Sequence, residues 1–331
     1  MKKKYDFAPY LYILPAAIIV IAFRLIPILL SFIISFFRWT IRGPEEFIGL
    51  ENFQTLLTDL EFWQSMINTL HLVIFVVPIT LVLSLFFANL LNRNIKLSGF
   101  FRSSYFLPSV TALVAISILW KQIFAPQTGL LNHMLGFFGI HGLDWLSEPR
   151  GIIELILTGM GVNFNGLVNN ISTAIGMNAN IVHWIIGGPS LALFAIIIVC
   201  IWRNLGYNTI IYLAGLQNIP HVYYEAAEID GASKFKQFSK ITLPLISPTT
   251  FYILIMTTIT TFQVFSQVYL MTGPPIGGPL GTTKVIVYYI FDKGFGEAQN
   301  LSYASAIALV LFVIILCLTL LQRRFESRVH Y

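Results

Sequence analysis

The densest cluster of chemically capable residues in this chain is a polar stretch. It reads Glu225-Ala226-Ala227-Glu228-Ile229-Asp230-Gly231 and continues to Ile241-Thr242-Leu243-Pro244. As a pattern it is E-A-A, three residues, G, nine residues, I-x-L-P. Carboxylates, alanines and a glycine at this spacing break no bonds. They make a surface that another protein can approach. Ala226 and Ala227 are small enough for close contact, and Glu225 and Glu228 offer charge to a polar groove. Pro220 fixes φ at the start of a short helix. Tyr223 to Asp230 contains strong helix formers, and Gly231 is free to take φ > 0 and turn the chain. Asp230 or Ser233 is placed to cap a second helix running through Phe238. Leu243-Pro244 closes the unit. The expectation is a helix–turn–helix whose docking residues are Glu225, Ala226, Ala227, Asp230, Gly231, Leu243 and Pro244.

A second set is scattered through apolar segments: Asn204, Thr258, Thr261, Gln263, Ser266, Gln267 and Tyr269. Amides and hydroxyls beside aromatic faces match the hydroxyl-rich surface of a sugar. The same residue types also bond helix to helix in hydrocarbon. No catalytic constellation is visible. There is no G-x-x-x-x-G-K-[ST], so this chain cannot cradle ATP phosphates in the P-loop manner. Neither H-E-x-x-H, G-x-S-x-G nor C-x-x-C occurs. The six histidines are dispersed, and Cys200 and Cys317 lie in apolar runs as small hydrophobes without metal or disulfide spacing. No enzyme, cofactor or metal site is expected.

These residues must be positioned by membrane helices. The chain of 331 residues is 56% hydrophobic and only 11% charged, against about 25% charged in soluble domains. Six segments are long enough to span a bilayer, at roughly 10–37, 67–91, 104–124, 190–214, 247–270 and 302–322. The first, after Met1-Lys2-Lys3-Lys4, is too long for a signal-peptide core and is expected to be retained. With the N-terminus inside, the cytoplasmic segments hold Lys2, Lys3, Lys4, Arg93, Lys96, Arg102, Lys234, Lys236, Lys240, Arg323, Arg324 and Arg328. The opposite side holds Arg38, Arg42, Lys121, Arg150, Lys284 and Lys293. Twelve against six puts both termini and the polar stretch in the cytoplasm. The net charge of +5 is therefore a topology signal and not a nucleic-acid signature. Pro15, Pro27, Pro78, Pro108 and Pro248 interrupt spans, as helices around a pathway allow. The fold expected is all-α, one polytopic transmembrane domain over 1–331. It has a cytoplasmic loop at 215–246 and an external loop at 125–189. The later part of that loop, 151–188, carries a single acid (Glu154), no Lys or Arg, and many Gly and Asn. Its first apolar run is too short to cross, so one or two short helices on the outer face are expected.

The polar stretch resembles the EAA loop of the integral permease subunits of bacterial ABC importers. The resemblance extends along nearly the whole chain to the maltose and glycerol-phosphate type of binding-protein-dependent sugar permease. It is carried by Leu14-Pro15, Asn52-Phe53, Asn68-Thr69, Phe106-Leu107-Pro108 through Trp120, Phe124, Gly129 and Asn132. It continues in Ile201-Trp202-Arg203-Asn204-Leu205-Gly206, Leu213-Ala214-Gly215-Leu216-Gln217, Leu270-Met271-Thr272-Gly273, Gly277-Gly278-Pro279 and Tyr303-Ala304-Ser305-Ala306. Two features depart from that family. Roughly 38 residues intervene between Trp145-Leu146-Ser147-Glu148-Pro149 and the fourth span, and Arg24 lies within the first span. The resemblance implies a non-catalytic permease of a bacterial or archaeal inner membrane. Its partners would be a second homologous permease in a heterodimer, a cytoplasmic ABC ATPase dimer and an external solute-binding protein. The cargo would be a sugar-like solute moved by alternating access. A secondary transporter or channel is the rival reading. It would need intramembrane acids for ion coupling, and the six spans hold no Asp or Glu away from their ends.

Overall fold

A computed structural model describes residues 8–40, 43–92, 98–139, 142–273, 277–297 and 299–326. Of the basic residues weighed for topology, Lys2, Lys3, Lys4, Arg42, Arg93, Lys96 and Arg328 lie outside these. The described residues divide into two compact units, one of 1–59 and 289–313 and one of 60–288 and 314–331.

The first unit begins with α1 (Ala8–Val20) and α2 (Ile26–Ile34), joined by a π-helical turn, Ile21–Leu25. The widened turn has a cause. Pro27 has no N–H to donate, and its ring would strike the carbonyl of Phe23 in a regular helix. Instead the Ile26 N–H reaches back five residues to the Ile21 carbonyl, which opens the helix ahead of the proline. None of the most apolar stretch of this segment is buried, as a helix apolar on every face requires if lipid is its solvent. A hairpin follows, β1 (Phe37–Thr40) and β2 (Gly43–Phe47), antiparallel with Phe37 opposite Phe47. The all-α expectation needs that one amendment, and the first span stops at Ile34 short of Phe37. Next is α3 (Glu51–Thr58), whose buried Asn52 donates to the Ser35 carbonyl at 2.9 Å.

The second unit is built on α4 (Leu60–Leu91), α5 (Ser98–Val110), α6 (Leu113–Ile123) and α7 (Leu130–Gly136). Three short helices follow: α8 (Ile152–Gly159), α9 (Phe164–Ile175) and α10 (Ala179–Gly187). Then come α11 (Leu191–Gln217), α12 (Val222–Ile229), α13 (Lys234–Gln237), α14 (Leu243–Phe262) and α15 (Ser266–Met271). Helix α11 is the axis, packed against α4, α5 and α14. Its Leu193, Ile196, Ile197, Val199 and Cys200 form one core with Leu72 and Val76 of α4, Ile116 of α6, Phe124, and Val268 and Met271 of α15. Close approach is set by Gly206: a Cβ there would stand 1.8 Å from the Tyr105 carbonyl oxygen of α5. The chain closes with α16 (Ile286–Phe295) and α17 (Leu301–Glu326). Within the first unit, Tyr289 of α16 and Tyr303 of α17 both donate their hydroxyls to the Asp59 carboxylate. Cys200 is buried as expected, but Cys317 is exposed, on the outside of α17.

Among the described residues, five helices are long and apolar enough to span: Tyr10–Ile34, Leu60–Leu91, Leu191–Gln217, Lys234–Phe262 and Leu301–Arg324. The expected third span is not one straight helix. It bends by 104° between Val110 and Leu113. Pro108 lacks a backbone donor there, and the Ser109 and Thr111 hydroxyls take the Phe106 and Leu107 carbonyls at 2.7 and 2.8 Å, competing with the helix ladder. The fifth segment ends at Phe262 and resumes only at Ser266. Pro78 and Pro248, expected to interrupt spans, lie inside unbroken helices. The segment 151–188 holds three short helices instead of one or two, with α8 and α9 bent by 120°. They enclose a small core of Phe164, Val168 and Val182. Its two ends meet: the Ile152 N–H donates to the Pro189 carbonyl at 3.0 Å, and the Leu191 N–H to the Arg150 carbonyl at 3.1 Å.

Candidate functional site

Two constructions lie along α11, one in its middle and one beyond its C-terminal end. The terminal one is the E-A-A segment. Pro220 lies two residues ahead of α12, and the helix ends where expected. Gly231 takes φ +71, the Ala232 N–H reaches the Ala227 carbonyl at 2.8 Å, and the Gly231 N–H reaches the Glu228 carbonyl at 3.0 Å. That pair of bonds is the Schellman closure, which satisfies the helix's last carbonyls. The Ser233 hydroxyl accepts from the Lys236 N–H and caps α13; Asp230 does not.

Leu243-Pro244 does not close the unit. A second π turn, Phe238–Thr242, carries α13 directly into α14, with the Leu243 N–H bonded to the Phe238 carbonyl. The cause is the one found at Pro27: the turn opens ahead of Pro244, which would otherwise strike the Lys240 carbonyl. Residues 234–262 are thus one helical rod. Glu228 is bonded to Lys234, and this contact holds its carboxyl below the usual range. Tyr224 packs against the core of Ala88, Leu91, Tyr212, Leu216 and Ile246 and its hydroxyl meets the Thr242 hydroxyl at 2.9 Å.

The outward side of the segment presents large apolar side chains among charged ones. Ile229 is 87% exposed and Phe235 80% exposed, with Glu225 and Ala226 exposed beside them and Ala227 half-buried. Val222, Ala226 and Ile229 share one face of α12 at helical spacing. Sequence reasoning weighed the small and acidic residues and passed over Ile229 and Phe235. The available signal was two large apolar side chains within 225–237, a run otherwise made of small and polar residues.

The mid-helix construction is a polar cavity of about 370 Å³ between α5, α11 and α14. It is lined by Phe106, Ser109, Arg203, Asn204, Tyr207, Asn208, Met256, Thr257 and Thr260. Asn204 therefore stands in a cavity. Thr258, Thr261 and Gln267 are buried elsewhere. Thr258 and Thr261 donate to the Leu254 and Thr257 carbonyls at 2.7 Å each, and Thr258 also accepts from Gln322 at 3.2 Å. Gln263 is exposed and Ser266 half-buried at the break between α14 and α15. Tyr269 stacks on Phe265, ring centres 5.4 Å apart. The cavity neighbours Arg203, Tyr207 and Asn208 were not singled out as contacts. Asn208 lies four residues from Asn204 and so on the same helix face, a spacing the sequence already displayed.

The profile of the family described as "Binding-protein-dependent transport system inner membrane component" matches residues 16–331. The chain is 34% identical to the lactose transport system permease protein LacF of Rhizobium radiobacter, over 97% of this chain and 95% of that protein. It is 32% identical to the trehalose/maltose transport system permease protein MalF of Thermococcus litoralis, over 94% and 90%. Among solved structures, a bacterial ABC transporter involved in the import of the acidic polysaccharide alginate superposes with TM-score 0.72. That match has 23% identity and covers 98% of this chain and 97% of the other.

Proposed function

The chain belongs to the family of binding-protein-dependent transport system inner membrane components, and from that membership we propose how its two constructions divide the work of an importer. The polar cavity between α5, α11 and α14 is the solute site, and α12 with its Schellman turn is the seat of a separate ATPase. Ile229 and Phe235 enter the ATPase groove, with Glu225, Ala226, Ala227 and Asp230 around them. The solute is a sugar or a sugar-like compound, as the lactose and trehalose/maltose permeases suggest. A second homologous permease completes the pathway, and an external binding protein delivers the solute.

The observation that carries this reading is continuity. The cavity's walls at Arg203–Asn208 and at Met256–Thr260 belong to α11 and to the 234–262 rod. The two rods are joined at one end by α12 and its turn. Asn204 lies 13 residues from the end of α11, about 20 Å at 1.5 Å per residue. A push on α12 is delivered along both rods to opposite sides of the cavity. ATP binding that favours one arrangement of the ATPase then favours one arrangement of the cavity. Hydrolysis and release return it.

The same geometry supports the topology. The three-helix segment 151–188 and α12 sit at opposite ends of α11. With α12 in the cytoplasm, 151–188 is external, on the side where a binding protein docks, and both termini are cytoplasmic.

The test is assembly and stimulation. The chain should co-purify with a P-loop ATPase and a second permease. In proteoliposomes, Asn204→Leu and Tyr207→Ala should abolish solute-stimulated ATP hydrolysis over a saccharide panel while the complex stays assembled. Full stimulation in both variants would move the solute site elsewhere.

A further inference from the structure

Arg203 is the unexplained group of the solute cavity. It lies at the middle of α11, where a guanidinium at bilayer depth is costly unless it is paired or watered. Its Nε is buried and has no hydrogen-bond partner. No acid is available on the walls: α5, α11 and α14, which line the cavity, contain neither Asp nor Glu. The other donors of the cavity are largely committed. The Ser109 hydroxyl donates to the Phe106 carbonyl, the Thr260 hydroxyl to the Met256 and Thr257 carbonyls, and the Asn208 amide to the Thr257 hydroxyl at 3.1 Å. What this cavity offers a guest is a planar cationic donor beside the Asn204 amide. An aromatic ring from Phe106 and the Tyr207 ring stand in the same lining.

We propose that the solute is anionic: Arg203 binds a carboxylate, sulfonate or phosphate carried on a sugar-sized compound. This rests on the assignment of the cavity as the solute site and adds the solute's charge. The chemistry is complementary in three respects. A guanidinium presents parallel N–H donors that match the oxygens of such a group. No acid on α5, α11 or α14 balances the charge, so an anionic guest relieves a cost that no wall residue offsets. A cavity holding one cation and no acid repels cationic solutes such as amino sugars in the protonated form. The aromatic and amide residues that share the lining with Arg203 then contact the uncharged, hydroxyl-bearing part of the guest.

The experiment uses the assembled transporter in nanodiscs and matched disaccharides that differ only at C6 of the two sugar rings: digalacturonate, with two carboxylates, and the neutral digalactoside of the same linkage. Binding to the complex is measured directly by calorimetry, which removes the binding protein's own selectivity. Wild type should bind the acidic sugar about 10- to 100-fold more tightly than the neutral one, the worth of a hydrogen bond to a charged group. Arg203→Gln should bring the two affinities together, and Arg203→Lys should keep part of the difference. Raising the salt should weaken only the acidic sugar. Equal wild-type affinity for the two sugars overturns the proposal. So does an Arg203→Gln complex that fails to assemble, since Arg203 then pairs with a partner subunit. If Asn204→Leu leaves both affinities intact, the cavity assignment itself has failed, whatever Arg203 does.

Discussion

Replacing Gly231 separates two explanations of why a glycine stands at this turn. One is close approach, in which any side chain obstructs the ATPase. The other is backbone conformation. Within the chain the space is open: a Cβ on Gly231 meets nothing within 4 Å, so no internal clash contributes. The backbone does contribute, because φ is +71. A left-handed residue with a Cβ costs about 1–2 kcal/mol, less for Asn, whose side chain bonds locally, and more for a β-branched residue. The conformational account therefore ranks the damage Asn, then Ala, then Val. Steric obstruction of a partner ranks it Ala, then Asn or Val. A loss of about 1–2 kcal/mol in the docked arrangement weakens ATPase binding roughly 5- to 30-fold. The assay is titration of the purified ATPase onto the permease pair in nanodiscs. Gly231→Ala should fall in that range, Gly231→Asn close to wild type, and Gly231→Val below both. Full ATPase binding by Gly231→Val would refute the docking assignment. An Asn variant worse than Ala would refute the conformational one.

Other outcomes follow from the same geometry. Phe235→Asp together with Ile229→Asp should release the ATPase while leaving the permease in the membrane, read by co-purification. Gly206→Ala should force α11 from α5, since its Cβ would sit 1.8 Å from the Tyr105 carbonyl oxygen. The expected cost is about 1–3 kcal/mol, seen as a lower unfolding temperature of the detergent-solubilised complex. Deleting 151–188 and joining Arg150 to Pro189 should leave the bundle and the ATPase complex intact. The retained ends already meet, with the Leu191 N–H on the Arg150 carbonyl at 3.1 Å; weakened capture of the loaded binding protein would be the functional mark. In a cysteine-free background, a cysteine at Ser147 should react with an impermeant thiol reagent in intact cells, and one at Ser233 should not. Labelling at Ser233 from outside would invert the topology.

Sequence alone determined the features set by local chemistry. Lipid as solvent was legible in unbroken apolar runs, because a helix with no water-facing side has only one stable environment. The turn after α12 was legible because positive φ selects glycine. The capping of α13 was narrowed to two candidates because a hydroxyl or carboxylate is needed just before the first turn. Tertiary structure decided whatever depends on what stands opposite. Thr258 and Asn204 read alike as polar residues in apolar helices. Packing put the Thr258 hydroxyl on its own helix's carbonyl and left Asn204 facing a cavity. Leu243-Pro244 read as a stop, yet the π turn absorbed the proline and kept the rod continuous, because widening one helical turn costs less than breaking a long helix apart in lipid. The 104° bend at Thr111 and Ala112 followed from hydroxyls competing for carbonyls, whose choice of partner is fixed only once the helices around them are in place. Arg203 was visible as a charge in a span without acids, but its standing in one cavity with Phe106 of α5 and Thr260 of α14 is a property of three helices brought together. No stretch of sequence contains it.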